Sequence, residues 1–169
     1  MPVGVVVEGQ ISDVVDYGDG NGTMTVMGIV IEIPEGVPIA TPTAVLTMAQ
    51  FADARSLPGR RQPGFVGAAA VVTGTSTKGR VTASDVFVTP ARAMLIGPVT
   101  SKQPFQVNGV SVEVLDDARM PGEPLKKILG VPVVPRKVPI GATATVEGYF
   151  GNTGTLHAVM VEVEHEKPL

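Results

Sequence analysis

Cysteine and tryptophan are absent from this chain, and aromatics are scarce, with 2 Tyr and 5 Phe among 169 residues. The lack of Cys excludes disulfides, Cys-ligated zinc, iron–sulfur clusters and thiol catalysis, but it leaves the compartment open, since many exported proteins also lack Cys. Charge is sparse too: 13 Lys+Arg against 16 Asp+Glu give a formal net charge of -3, with no long basic run to attract a phosphate backbone. No apolar run approaches the roughly 20 residues that span a bilayer. The start, Met1-Pro2-Val3-Gly4-Val5-Val6-Val7-Glu8, has no basic region of the kind that opens a signal peptide. The expectation is a soluble chain without a membrane span, cytoplasmic by default, with a mature exported form or a virion component as the other settings. What the chain does have is 20 Gly, 15 Pro, 44% hydrophobic residues and only 17% charged ones. That balance belongs to a packed core and not to a disordered chain. Its length suits one domain or two small ones.

Self-similarity decides between these. Met24-Thr25-Val26-Met27-Gly28-Ile29-Val30-Ile31-Glu32-Ile33 aligns with Phe105-Gln106-Val107-Asn108-Gly109-Val110-Ser111-Val112-Glu113-Val114 at a constant offset of 81. Farther on, Gly67 to Gly74 matches Gly141 to Gly148, and Gly79-Arg80-Val81-Thr82-Ala83 matches Gly154-Thr155-Leu156-His157-Ala158. Upstream, Glu8-Gly9-Gln10-Ile11 resembles Ile96-Gly97-Pro98-Val99. One module is therefore present twice, over 1–90 and 91–169, with the boundary near Thr89-Pro90-Ala91-Arg92, where Pro interrupts a strand pattern.

Within each copy apolar residues alternate with polar or small ones, the period-2 signature of half-buried strands. Five strands per copy follow, in the first copy near Val5 to Val15, Thr23 to Met27, Ile29 to Pro34, Val66 to Thr75 and Arg80 to Thr89. Between the third and fourth, Thr41 as cap, Pro42 at the first helical position and Val45, Met48, Phe51 and Ala52 at helical spacing predict a helix. In the second copy Pro124 opening Leu125-Lys126-Lys127-Ile128-Leu129, with Gly130 as a stop, predicts a shorter one. Three strands, a helix, then two strands is the element order of the OB-fold. The fold class expected is all-β: two tandem OB-like five-stranded barrels, each with a short helix between strands 3 and 4. The spacing G-x-I/V, then F/M-x-V-x-G-x-x-V/I, then G-x-x-V-x-V-x-G and A-x-x-V resembles the bacterial OB-fold repeat domains of unknown function that often occur in tandem. The resemblance covers nearly the whole chain, rests on turn glycines and core valines, and implies no catalytic residue. The long connections Glu35 to Gly64 and Asp116 to Ile140 exceed a minimal module.

Candidate chemistry is thin. His157 and His165 share the last strand but lie roughly 27 Å apart at about 3.4 Å per residue, too far to share a metal ion, and neither has a Ser or Asp partner for nucleophilic catalysis. Asp16, Asp19 and Asn21 form a weak calcium candidate in a glycine-rich loop, but the Glu that a calcium loop needs is replaced by Val30. Glu32 and Glu113 are repeat equivalents with no opposing carboxylate readable from sequence. No phosphate-binding or nucleophile-elbow motif is present. The expectation is no enzyme and no cofactor.

Two binding classes are left. Apolar, Pro-rich connections such as Ile128-Leu129-Gly130-Val131-Pro132-Val133-Val134-Pro135 are too hydrophobic for ordinary exposed loops and need a cover. The first reading is a structural or protein-interaction subunit, self-associating or part of a filament, envelope complex or virion. Its interface residues would be Ile128, Leu129, Val133 and Val134 together with Val5, Val6 and Val7 on a possible edge strand. The alternative is a single-stranded nucleic-acid binder using Phe105 for stacking and Arg60, Arg61, Lys126, Lys127, Arg136 and Lys137 for phosphates.

Overall fold

The computed structural model describes residues 2–164. The chain divides into two compact units, Met1–Leu57 with Arg61–Ala91, and Arg92–Leu169 with Pro58–Arg60. Each is a closed five-stranded β-barrel.

The first unit is built from β1 (Val3–Asp16), β2 (Gly22–Val26), β3 (Ile29–Ile33), β4 (Ile39–Ala40), β5 (Val45–Leu46), the helix α1 (Met48–Ala52), β6 (Ala69–Thr77) and β7 (Arg80–Thr89). Alternation does the sorting: Val7 and Ile11 of β1, Ile31 and Ile33 of β3, Ala70 and Val72 of β6 and Val86 and Val88 of β7 turn inward and are buried. The barrel order is β3-β2-β1-β6-β7, closed by parallel pairing of Ile31 with Val81 and Glu32 with Thr82. The second unit repeats it with β8 (Ala93–Lys102), β9 (Phe105–Val107), β10 (Val110–Val114), β11 (Lys126–Lys127), β12 (Thr143–Phe150) and β13 (Thr155–Val163). Its order is β10-β9-β8-β12-β13, closed by parallel pairing of Ser111 through Val114 with Thr155 through Ala158. Val99, Val107, Ala144, Val146, Leu156 and Val161 fill it.

Closing a small barrel requires strands to bend, and both copies do so at the same aligned glycine. The β6–β7 register slips between Thr73 and Gly74, and the β12–β13 register between Glu147 and Gly148. A Cβ on Gly148 would stand 1.8 Å from the His157 carbonyl oxygen, and one on Gly74 2.1 Å from that of Thr82. No side chain fits there, so the repeat keeps glycine for backbone approach.

The helices differ from expectation. Only one short α-helix forms among the described residues, and it stands between β5 and β6 rather than directly between the third and fourth strands of the chain. Its cap is Thr47, which accepts from Gln50 N–H while the Gln50 side chain accepts from Thr47 N–H. Thr41 instead closes a turn: its backbone N–H donates to Ala44 O at 2.8 Å, and its hydroxyl accepts from Ala44 N–H. Pro42 sits inside that turn, where its fixed φ is equally at home. The second expected helix, from Pro124 to Leu129, is absent. Lys126 and Lys127 form β11, parallel to Glu162 and Val163 of β13, just as Ile39 and Ala40 lie parallel to Val86 and Phe87 of β7. A short strand after the third barrel strand, followed by a reversal, is thus part of the repeat.

Candidate docking surfaces

The reversal in the second unit is an apolar tip. Lys126 bridges to Pro132, Lys127 N–H donates to Val131 O at 2.8 Å, and Gly130 N–H donates back to Lys127 O at 2.7 Å. Ile128 and Leu129 therefore occupy the apex, 52% and 90% exposed. Beside them Val131, Val134 and Ile140 are also exposed, whereas Val133 is half-buried against the second core. A pocket of about 410 Å³ opens at the foot of the hairpin, walled by Val131, Pro132, Val134 and Pro139 and rimmed by Lys127, Lys137 and Glu164. Of the four residues expected at an interface here, Ile128, Leu129 and Val134 face outward and Val133 belongs largely to the barrel.

In β1 the expected trio also divides. Val7 is buried and Val5 half-buried, so their side chains serve the first core; Val6 is 68% exposed, with Val3 beside it at 61%. The edge itself is open on one side. Val3 through Gln10 pair with β6 alone, and β2 joins β1 only from Ile11 onward. Ile11 exchanges hydrogen bonds with Gly67 and Ala68 on the β6 side. By alternation, the peptide groups of Gly4, Val6 and Glu8 point the other way. In β8 the matching stretch, Ala93 through Pro98, likewise pairs with β12 alone. There Pro98, lacking an N–H, accepts from Asn108 N–H, so the β9–β10 turn covers that end of the stretch.

The residues grouped for nucleic acid are divided between the two units. Phe105 is half-buried and packs on the second core. Arg60 is held in the second unit, where burial lowers its guanidinium pKa and the Tyr149 hydroxyl partly offsets that. Arg61 belongs to the first unit. Lys126 pairs with Glu123 at 2.6 Å, a hydrogen bond that raises its pKa. Lys127 and Lys137 do share the pocket rim, and Lys102 Nζ reaches Arg136 O at 3.4 Å.

One buried polar cluster was not legible. Tyr149 on β12 lies opposite His157 on β13, and their rings stack with centroids 5.3 Å apart. The Tyr149 hydroxyl donates to Pro58 O at 2.5 Å, and Asn152 N–H donates to Gly59 O at 2.8 Å. Desolvation pushes the Tyr149 pKa up to about 12, with Arg60 opposing, Asp117 adding and Arg119 opposing. Desolvation lowers the His157 pKa, and Glu113 opposes that. His157 Nε2 is buried without a hydrogen-bond partner among the described residues and faces Gly59 and Gly151, on which a Cβ would come within 2.2 Å and 2.6 Å. Nearby, Arg119 and Asp117 form a buried fork, with Nε and Nη2 each 2.9 Å from a carboxylate oxygen. The Tyr149 hydroxyl, the Asn152 N–H and the Arg119 fork are committed to the fold, which makes this cluster a fastening for the Pro58–Arg60 segment. The Asp117-x-Arg119 spacing was the only sequence signal for it. His165 lies outside the described residues.

In the loop from β1 to β2, the Asp16 carboxylate accepts from Gly18 N–H at 2.8 Å, and Asn21 returns its carbonyl to Tyr17 N–H. Asp16 and the Asn21 backbone are thereby used in shaping the loop, the Asn21 side-chain oxygen is buried without a hydrogen-bond partner among the described residues, and Asp19 is exposed. Among the described residues no group of three acidic, His or Cys side chains is placed to hold a metal ion, and no helix is long and apolar enough to cross a membrane. Compared with known proteins, the chain matches no family model, no curated protein and no solved structure. Two closed five-stranded barrels in tandem agree with OB-like repeats, and that architecture is what defines the chain.

Proposed function

We propose that this chain is a non-catalytic, tandem OB-repeat subunit of the bacterial kind that binds protein, first of all its own copies, within a larger assembly such as a filament, envelope complex or virion. The observation that carries the reading is the open edge of β1: eight residues, Val3 through Gln10, with a strand on one side only. An edge of that length is a template for strand addition, since peptide groups supply affinity and alternate side chains supply register. A second copy laid antiparallel about a two-fold axis would set Val6 against Val6 and Gly4 against Glu8, matching the one acidic side chain with a residue that has none.

Sedimentation equilibrium across a concentration series tests this. Wild-type protein is expected above its monomer mass of 17.5 kDa, and Val6→Lys is expected at that mass with an unchanged melting temperature. A wild-type monomer throughout, or an oligomer indifferent to Val6→Lys and Val6→Pro, overturns the reading. The nucleic-acid alternative draws on the cations near Arg136 alone, and its signature would be a steep salt dependence of oligonucleotide binding.

A further inference from the structure

We infer that the hairpin end of the second barrel docks on an anionic lipid bilayer surface, with Ile128 and Leu129 entering the headgroup region and Lys127, Arg136, Lys137 and Lys102 facing lipid phosphates. Shape argues first. Leu129 is 90% exposed at the apex of a tight reversal held by the Lys127–Val131 and Gly130–Lys127 hydrogen bonds, and at that exposure its side chain packs on next to nothing in its own barrel. A convex aliphatic tip is poorly matched to a flat protein face, whereas a bilayer interface accepts an apolar projection to a depth of about 5–10 Å. Ile128, Val131, Val134 and Ile140 surround the tip with more exposed aliphatic surface.

Charge argues second and independently. In a chain of net charge -3, residues 124–146 contain Lys126, Lys127, Arg136 and Lys137 and no acidic residue. Among the described residues no carboxylate lies within ion-pair distance of Lys127, Arg136 or Lys137, and Lys102 is brought alongside by its contact with the Arg136 carbonyl. The carboxylates that do approach are Glu123 and Glu162, both acting on Lys126, and Glu164 at the pocket rim. A cationic collar around an aliphatic tip is the arrangement that reads negative lipid headgroups and acyl boundary together. This proposal stands apart from strand addition at β1, which uses other residues in the other unit.

The test is co-sedimentation of the full chain with vesicles of phosphatidylcholine alone and of phosphatidylcholine containing phosphatidylserine, at low and high salt. Binding is expected only with phosphatidylserine, weakened by salt, and reduced about tenfold or more by Leu129→Asp, in keeping with tip insertion. Leu129→Asp should keep the wild-type melting temperature because the side chain is free of the core. The pair Lys127→Gln/Lys137→Gln should lower affinity and flatten the salt dependence, whereas Val6→Lys should bind vesicles as wild type does. Failure to sediment with phosphatidylserine vesicles at low salt overturns the proposal. So does vesicle binding indifferent to both Leu129→Asp and Ile128→Asp, or an oligomer that Leu129→Asp dissociates without any vesicle binding, which would make the tip a protein contact.

Discussion

Gly59 has a positive φ of +74° and stands so close to the His157 ring that a Cβ would come within 2.2 Å of Nε2. Both conditions reject a side chain, so Gly59→Ala is expected to cost about 1–3 kcal/mol by chemical denaturation. Tyr149 gives a second check. In a Tyr17→Phe variant, which has no other Tyr and no Trp to interfere, phenolate absorbance should emerge only near pH 12. His157 sets a sign. Its folded pKa lies below the ordinary value of about 6.5, so the unfolded chain takes up the proton first. The stabilisation is complete above that value and is lost as pH falls below it. Melting temperature should therefore decline on acidification below about pH 6.5, and less steeply in His157→Asn. Little of this was legible at the residue scale. His157 read as a strand residue without a Ser or Asp partner, because nothing in its neighbours announces that Gly59, from far back in the chain, packs against its ring.

At the scale of elements, turns carry most of the information. The β2–β3 reversal places Met27 at φ 53° and Gly28 at φ 75°, and the β9–β10 reversal places Asn108 at φ 50° and Gly109 at φ 78°. Both pairs have the left-handed conformations of a tight two-residue hairpin, for which Asn-Gly is the favoured pair. Met27→Asn, copying the second repeat into the first, should therefore stabilise the protein by about 0.5 kcal/mol, read as a higher denaturation midpoint. Thr47→Ala, which removes the hydroxyl that accepts from Gln50 N–H and leaves the Gln50 half of the α1 capping box in place, should cost about 1 kcal/mol. The misread helices share one cause. Leu125-Lys126-Lys127-Ile128-Leu129 has good local helix formers, yet β13 offers an edge at Glu162 and Val163 on the side away from β12, and a parallel pairing wins over propensity. Thr41-Pro42 could open a helix or a turn with equal local right, and the pairing of Ile39 with Leu46 decides for the turn.

For the molecule as a whole, each unit holds its own buried core, and stability should follow each core separately. Leu156→Ala, at 2% exposure in the second barrel, is expected to cost about 2–5 kcal/mol. Hydrogen exchange should show the loss in β8, β12 and β13, with β1, β6 and β7 keeping wild-type protection; uniform loss over both barrels would show one cooperative unit instead.

The doubled module, the strand pattern, the bending glycines and the all-β class were determined by sequence alone, because inward and outward alternation and backbone approach are written residue by residue. Tertiary structure decided what neighbours decide. It buried Val7 and turned Val5 and Phe105 partly into the cores where a linear reading left them available, turned a helix-like run into a strand with Leu129 at its exposed tip, and left β1 open along Val3 through Gln10 because β2 is too short to cover it. Burial and strand pairing depend on residues far apart in the chain, and no local pattern carries that distance.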